Sequence, residues 1–353
     1  MQVCTKCILP ESYPHITFDD QGICNICTHF DRRYKNIDYT QQHKELFRII
    51  EKAKKKKREY DCMVPISGGR DSSMVLYLAV KEFKLKTLAF NYDNGFFSEQ
   101  AKKNMEVLTK ALDVDFISYR PQISKMMEAY RISFLKTGDF CIPCNRGVTT
   151  GIYKTAFDKK IPLILLGYCS KTDGIPREVE MFDQRLFKSV FQGEVPHSEL
   201  RPFMFPQIKR LLIPRINVPD YFDWKEIENF KKLAESFIGS NYLGDVHFDC
   251  KVSPVADYIK RIKWGFGKKE MKLSVYIRDG QITREEASEK LTHAFEEPPE
   301  LELWLQSLKV TRDDLKKAKD LSYKGYKSYN FKLLKFLRRH TKLVSFPYDD
   351  DAI

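Results

Sequence analysis

The stretch Cys62-Met63-Val64-Pro65-Ile66-Ser67-Gly68-Gly69-Arg70-Asp71-Ser72-Ser73 constrains the fold more than any other part of the chain. An apolar run with the length of a buried strand, Cys62 to Ile66, stops at Ser-Gly-Gly. The apolar residues Met74, Val75, Leu78 and Ala79 follow at helical spacing. Strand, glycine loop and helix in that order aim backbone amides and the positive end of a helix at one spot, where Gly68 and Gly69 remove Cβ obstruction. Ser67, Ser72 and Ser73 add hydroxyls there, and Asp71 stands where a carboxylate caps the helix or holds magnesium beside a polyphosphate. The ligand that suits this pattern is a phosphate. No Gly-Lys-Ser/Thr follows and no Gly-x-Gly-x-x-Gly is present, which disfavours ordinary NTPases and dinucleotide enzymes.

Ser-Gly-Gly-x-Asp-Ser after a hydrophobic strand resembles the signature of the PP-loop ATP pyrophosphatases, which split ATP into AMP and pyrophosphate while adenylating an oxygen. The resemblance implies ATP contacts from Pro65, Ser67, Gly68, Gly69, Asp71, Ser72 and Ser73, with Asp71 and Ser72 serving the chemistry.

Alternating strands and helices follow, the mark of a doubly wound α/β fold with a parallel sheet. Thr87 to Tyr92 and Val114 to Tyr119 read as strands, with a helix over Ser98 to Leu112 between them and a later strand over Ile161 to Gly167. Ligands of such sheets bind beyond the carboxyl ends of the strands, so Asn91, Asp93, Asn94 and Gly95 are expected beside the nucleotide. A turn without a ligand is the competing reading. Gly167 and the loop after it resemble the second nucleotide-contacting segment of PP-loop enzymes. Gly167 and Asp173 are then expected near ATP, and Lys171 on phosphate as a catalytic residue. Tyr168 departs from the histidine or glutamate that many relatives carry there.

Cys4-x-x-Cys7, sixteen residues and Cys24-x-x-Cys27 suit a closed tetrahedral zinc site of structural type, with two disulfides as the alternative. A second pair, Cys141 and Cys144, opens a helix with Asn145 and Arg146. The cysteines could bind metal or act as redox thiols, and these four residues and Arg177 are candidates for holding an anionic substrate. The pair resembles one in PP-loop tRNA thiolases that transfers sulfur or holds an iron–sulfur cluster with a third cysteine, here Cys169 or Cys250. Buried structural thiols are the favoured reading, and the cluster is disfavoured. Cys62, inside the first strand, is read as core.

The sequence divides into a Cys4 zinc-ribbon-like module over 1–38, a PP-loop domain over 39–219 and a helical region over 220–353. A linker helix starts at Tyr39. Residues 184–219, rich in Phe, Pro and Arg with weak periodicity, read as a substrate-covering insertion. Thr283-x-x-Glu286 and Thr311-x-x-Asp314 are helix caps, and Tyr323 to Lys342 reads as an amphipathic terminal helix. At 353 residues with 42% hydrophobic content the chain is long enough for two or three domains. No apolar run approaches the ~20 residues needed to span a bilayer, and no signal sequence is read, so a cytoplasmic location is expected. The net charge of +12 fits an anionic partner of any kind and decides nothing by itself.

Taken together, the two N-terminal Cys-x-x-Cys pairs, Cys-Ile-Pro-Cys-Asn-Arg-Gly, Leu-Gly-Tyr after a strand, Trp-Gly-Phe-Gly-Lys and Ile-Arg-Asp-Gly-Gln-Ile-Thr-Arg-Glu-Glu-Ala resemble the N-acetyl sugar amidotransferases of bacterial surface-polysaccharide synthesis, the WbpG/PseA type. That resemblance runs from Cys4 to about Leu291. It implies conversion of an acetamido group on a nucleotide-linked sugar into an acetamidino group, in lipopolysaccharide O-antigen or flagellin-glycan synthesis. ATP and magnesium would activate the amide oxygen as an O-adenylyl imidate, and ammonia would displace AMP. The chain carries no cysteine after the initiator methionine and no glycine-flanked nucleophile elbow, so ammonia is expected from a separate glutaminase, a HisH/HisF-like pair. A PP-loop tRNA thiolase is the alternative, and nucleic acid is the less favoured partner.

Overall fold

The computed structural model describes residues 2–173, 184–206, 209–210, 212–239, 249–292 and 296–322, the side chain of Asp173 apart. Arg177 and the stretch 323–342 lie outside them. The chain begins with α1 (Asn25–Tyr34), α2 (Tyr39–Lys54), β1 (Cys62–Pro65) and α3 (Arg70–Tyr77), the last prolonged by a π turn (Leu78–Glu82). It continues with β2 (Thr87–Tyr92), α4 (Glu99–Ala111), β3 (Asp115–Tyr119), α5 (Ile123–Thr137), α6 (Cys141–Asp158), β4 (Ile164–Leu166) and α7 (Ser170–Asp173). Next come α8 (Gln184–Phe191), a 3-10 turn (His197–Phe203), β5 (Arg215–Asn217) and a second 3-10 turn (Val218–Tyr221). The remainder is helical: α9 (Trp224–Ile238), α10 (Ser253–Trp264), α11 (Lys268–Arg278), α12 (Arg284–Glu289), α13 (Leu301–Leu308) and α14 (Arg312–Ala318).

The strands form one sheet in the order β3-β2-β1-β4-β5, every pair parallel, with Val64 beside Ala89 and Met63 beside both Leu88 and Ile164. Because successive strand residues point to opposite faces, the apolar strands feed two cores. Met63, Leu88, Phe90, Tyr92 and Ile164 pack with α5, α6 and α8 on one face. Cys62, Val64, Ala89, Leu163, Leu165 and Ile216 pack with α2, α3, α4 and α9 on the other. The sheet is therefore covered on both sides, the doubly wound α/β arrangement, with a four-cysteine cluster at the N-terminal end of the chain.

Two stretches differ from expectation. The linker helix, read from the sequence over Tyr39 to Arg58, ends at Lys54, so Lys55, Lys56, Lys57 and Arg58 lie past it. Residues 184–219 provide the edge strand β5 and the buried Leu186, Phe187, Phe191, Phe203 and Phe205. Leu186, Phe187 and Phe191 lie on the two-turn helix α8 and Phe203 ends a 3-10 turn, so no single repeat runs long enough to show as a pattern.

A third core contains the four clustered cysteines with Leu9, Tyr13, Ile26 and Phe30, and it is completed by Phe266 and Val275. The first residues of the chain thus share a core with the start and middle of α11.

Candidate active site and metal-ligand cluster

In a sheet ordered 3-2-1-4-5 the chain leaves β1 toward β2 on one side and returns to β4 on the other. A crevice opens between the carboxyl ends of β1 and β4, and such a switch point is where open α/β sheets bind ligands. The Ser67–Ser73 loop follows β1 at this crevice, and Gly167 follows β4.

The loop is built from its own hydroxyls and two buried amides. Ser67 N–H donates to Ser72 Oγ (3.2 Å), and Ser72 Oγ donates to the Gly69 carbonyl (3.0 Å). Asn91 Nδ2 donates to Ile66 O (2.8 Å) and the fully buried Asn104 Nδ2 donates to Gly68 O (3.1 Å). With loop carbonyls engaged this way, Gly69 becomes the N-cap of α3, and no side chain caps that helix start. The first-turn amides of a helix have no partner within it, a set of donors suited to an anion. Gly68 sits at φ +77° with a would-be Cβ only 2.3 Å from the Ala101 carbonyl oxygen, which fixes glycine at this place. At Gly167 a Cβ would meet the Asp71 carbonyl carbon at 2.8 Å, so the end of β4 lies directly on the first turn of α3.

Asp71 is 57% exposed and receives Lys231 Nζ of α9 at 2.9 Å. Lys231 is also held by Glu228 (3.1 Å), and Arg70 reaches Glu228 and Glu235. Burial lowers the Lys231 pKa, but Asp71 and Glu228 outweigh it, leaving the ammonium above its ordinary value. Ser73 is buried beneath the loop and Pro65 is the half-buried last residue of β1.

At the end of β2, Asp93 accepts from Gly95 N–H (2.9 Å) and from Arg120 Nε (2.8 Å). Asn94 donates to Cys144 Sγ at 3.4 Å. Residues 249–251 lie across this end, with Ser98 N–H donating to Asp249 O (3.0 Å) and Lys251 N–H to Phe96 O (2.8 Å). Burial raises the Asp249 carboxyl, while the hydroxyl of Ser67 and the charge of Lys268 pull it down. The same Lys268 ammonium acts on Cys141, Cys144 and Cys250. Burial dominates for these thiols, pushing Cys141 up to about 12 and Cys250 to about 11, so they are protonated at neutral pH.

The structure therefore brings together Ser67, Gly68, Gly69, Asp71, Ser72, Ser73 and Gly167, with Asp93, Gly95 and Cys144 at the next strand end. Four expected residues stand elsewhere or are already engaged. Lys171 is buried and donates to Tyr39 Oη, with its ammonium 5.1 Å from the Trp224 ring, so it meets an aromatic wall and not the loop. Arg146 is fully buried on α6 and donates to the Phe203 carbonyl (2.8 Å), an internal tie between α6 and the 3-10 turn. Asn91 is spent on the loop backbone and on Ser118. Asn145 continues α6, its carbonyl accepting from Thr149 Oγ1 (2.9 Å). Sequence reasoning missed Asn104, Lys231 and Asp249, which lie in ordinary helical or irregular stretches and carry no local signal. Lys268 ends the Trp-Gly-Phe-Gly-Lys stretch, the one pointer available.

Cys4, Cys7, Cys24 and Cys27 are unbonded, fully buried and have ligand atoms all within 4.8 Å of one another. The Cys4–Cys27 and Cys7–Cys24 sulfur pairs are each 3.9 Å apart, against about 3.8 Å for sulfurs tetrahedrally placed around zinc. Cys7 N–H and Cys24 N–H both donate to Cys4 Sγ. Hydrogen bonds from Cys24 and Cys27 draw Cys7 well below the ordinary thiol range, and the buried Arg278 guanidinium adds to this. Arg278 donates to Cys27 Sγ (3.2 Å) and Cys7 Sγ (3.4 Å). The donor set and a buried cation beside it fit a metal held by thiolates and fit neutral disulfides poorly. Among the described residues this is the one group of three or more such ligands, so Cys141, Cys144 and Cys250 do not form another. No helix among the described residues is long and apolar enough to cross a membrane.

Residues 226–341 match the family model for the LPS biosynthesis protein WbpG-like, C-terminal domain, which supports the WbpG type. An uncharacterised protein of Methanocaldococcus jannaschii is 27% identical over 293 residues, spanning 76% of this chain and 92% of that protein. Among solved structures, the chain is similar to the U34-tRNA thiolase NcsA from Methanococcus maripaludis with its 4Fe–4S cluster. Identity there is 16%, the TM-score 0.34, and coverage 83% of this chain and 89% of that one.

Proposed function

We propose that this chain is an ATP-dependent amidotransferase that converts an acetamido group of a nucleotide-linked sugar into an acetamidino group for bacterial surface-polysaccharide or flagellin-glycan synthesis. The observation that carries the reading is a serine- and glycine-built loop at the β1/β4 switch point, in a chain whose C-terminal third matches a WbpG-like domain. The PP-loop assignment rests on that loop.

An amide oxygen leaves poorly, so it must first be converted into a better leaving group. In the proposed reaction it attacks the α-phosphorus of ATP, forming a P–O bond as pyrophosphate departs. Ammonia then adds to the imidate carbon, and AMP leaves with the former amide oxygen. The loop amides and the start of α3 would hold the pyrophosphate and balance its growing charge. Asp71, exposed at that helix start, would hold magnesium, which would offset phosphate charge there, and Lys231 lies beside the same carboxylate. Zinc at the four N-terminal cysteines would be structural, since four sulfurs close the shell. Ammonia would come from a partner glutaminase.

The test is mass spectrometry of purified protein with Mg-ATP, ammonium and a panel of UDP-linked acetamido sugars, with AMP followed alongside. A sugar whose acetamido oxygen is replaced by nitrogen, with stoichiometric AMP, is the expected result. A second reading, tRNA thiolation, draws on Cys144, which accepts from Asn94 at the end of β2, and on Cys141 one helical turn before it. AMP release that depends on added tRNA, with no sugar changed, would replace the first reading by the second.

A further inference from the structure

α11 runs between two anchorages. At its first residue, the Lys268 N–H donates to Asp257 of α10. Its last residue, Arg278, donates to the sulfurs of Cys27 and Cys7. Eleven residues of helix span about 16 Å, so one rigid rod connects α10 to the cysteine cluster.

Each end of the rod is anchored differently. At the start, Arg261 of α10 bonds both oxygens of Glu270 (2.7 and 3.0 Å) and pairs with Asp257 (2.7 Å). Glu270 in turn accepts from Gly267 N–H (2.8 Å), and Asp257 accepts from Lys268 N–H. These bonds fix where α11 begins on α10. The sulfurs fix where it points. Arg278 is only 4% exposed, and a guanidinium cannot shed its charge, so neutral thiols would leave it buried without a counter-charge. A divalent ion with four thiolates carries two negative charges, and the guanidinium offsets one of them. Arg284 of α12 adds hydrogen bonds to the carbonyls of Cys4 and Cys7, which closes the junction from the other side.

We propose that a divalent metal at Cys4, Cys7, Cys24 and Cys27 holds α11 in its place on α10, Arg278 being the positioning residue that couples the metal to the helix. This coupling stands apart from the proposed function.

The test uses the full chain loaded with zinc. Hydrogen exchange read by mass spectrometry is compared before and after removal of the metal by a chelator, and zinc affinity is measured by competition with a chromophoric chelator for the parent, Arg278→Met and Arg278→Lys. The expected results are at least roughly tenfold faster exchange over 268–278 on metal removal, with 62–65 and 87–92 unchanged. Arg278→Met is expected to weaken zinc binding about 10- to 100-fold, and Arg278→Lys to recover part of the loss. Unchanged protection of α11 in the chelated parent overturns the proposal, as does parent-like zinc affinity in Arg278→Met. The chelation arm decides the matter if Arg278→Met does not fold. Neither readout involves a sugar or ATP, so its failure is separate from failure of the amidotransferase reading.

Discussion

Ser72 is the loop residue with the most bonds to lose, since its hydroxyl both accepts from Ser67 N–H and donates to Gly69 O. Ser72→Ala is expected to lower kcat/KM for AMP formation roughly 10- to 100-fold while costing only about 1 kcal/mol of stability. Parallel activity and urea-unfolding measurements check both halves. A second outcome concerns Lys231, which shares its charge with Asp71. Lys231→Met removes a cation that competes with magnesium for that carboxylate, so a magnesium titration of activity is expected to shift to roughly threefold lower concentration. The residue scale is also where sequence reading succeeds and fails most clearly. Ser67, Gly68, Asp71 and Ser72 lie within one short stretch, and their spacing expresses one local geometry. Lys171 looked equally suitable on paper, but a lysine's reach is set by what packs around it, and Tyr39 and Trp224 come from distant parts of the chain. Asp249 and Asn104 carry no signal because their partners lie far away in sequence.

Among elements, α9 shows how charge ties the later part of the chain to the loop. Its capping box joins Asp223 and Glu226, and its middle turns present Glu228, Lys231 and Glu235 to Arg70 and Asp71 at the start of α3. Burial raises the pKa of Glu228, but Lys231 and Arg70 outweigh it and bring the carboxyl below its ordinary value of 4.5. A depressed carboxyl stabilises the fold above its unfolded pKa and loses that contribution as pH falls through its folded value. Glu228→Gln is therefore expected to destabilise the protein near pH 7 and to converge on the parent as pH drops below about 4.5, in urea titrations across that range. β2, α4 and the caps at Thr283 and Thr311 were legible because period, capping residue and boundary agreed. β5 was not, since three residues hold too little pattern to reveal a strand whose partner β4 lies some fifty residues earlier.

For the whole molecule, the nine cysteines fall into groups: four clustered around a prospective metal, Cys62 and Cys169 buried, and Cys141, Cys144 and Cys250 protonated beside Lys268. Burial raises the thiols of Cys62, Cys141, Cys144 and Cys250, the reverse of what a nucleophilic thiolate needs, so the purified chain is expected to use ammonium and to leave glutamine unhydrolysed. Release of glutamate from glutamine by the chain alone would contradict this, and an enzymatic glutamate assay reads it directly. The parallel sheet was legible as a class from its strand and helix rhythm, whereas the order β3-β2-β1-β4-β5 depends on contacts that no local pattern encodes. The N-terminal cysteine pairs were legible too, but their dependence on Phe266, Val275 and Arg278 was not. That dependence sets an order of events during synthesis. Cys27 meets the guanidinium that neutralises its surroundings only after another 251 residues have been made. A segment translated long before α11 is thus among the last to be finished, and a nascent chain must carry its cysteines open to metal, or to oxidation, until α11 arrives.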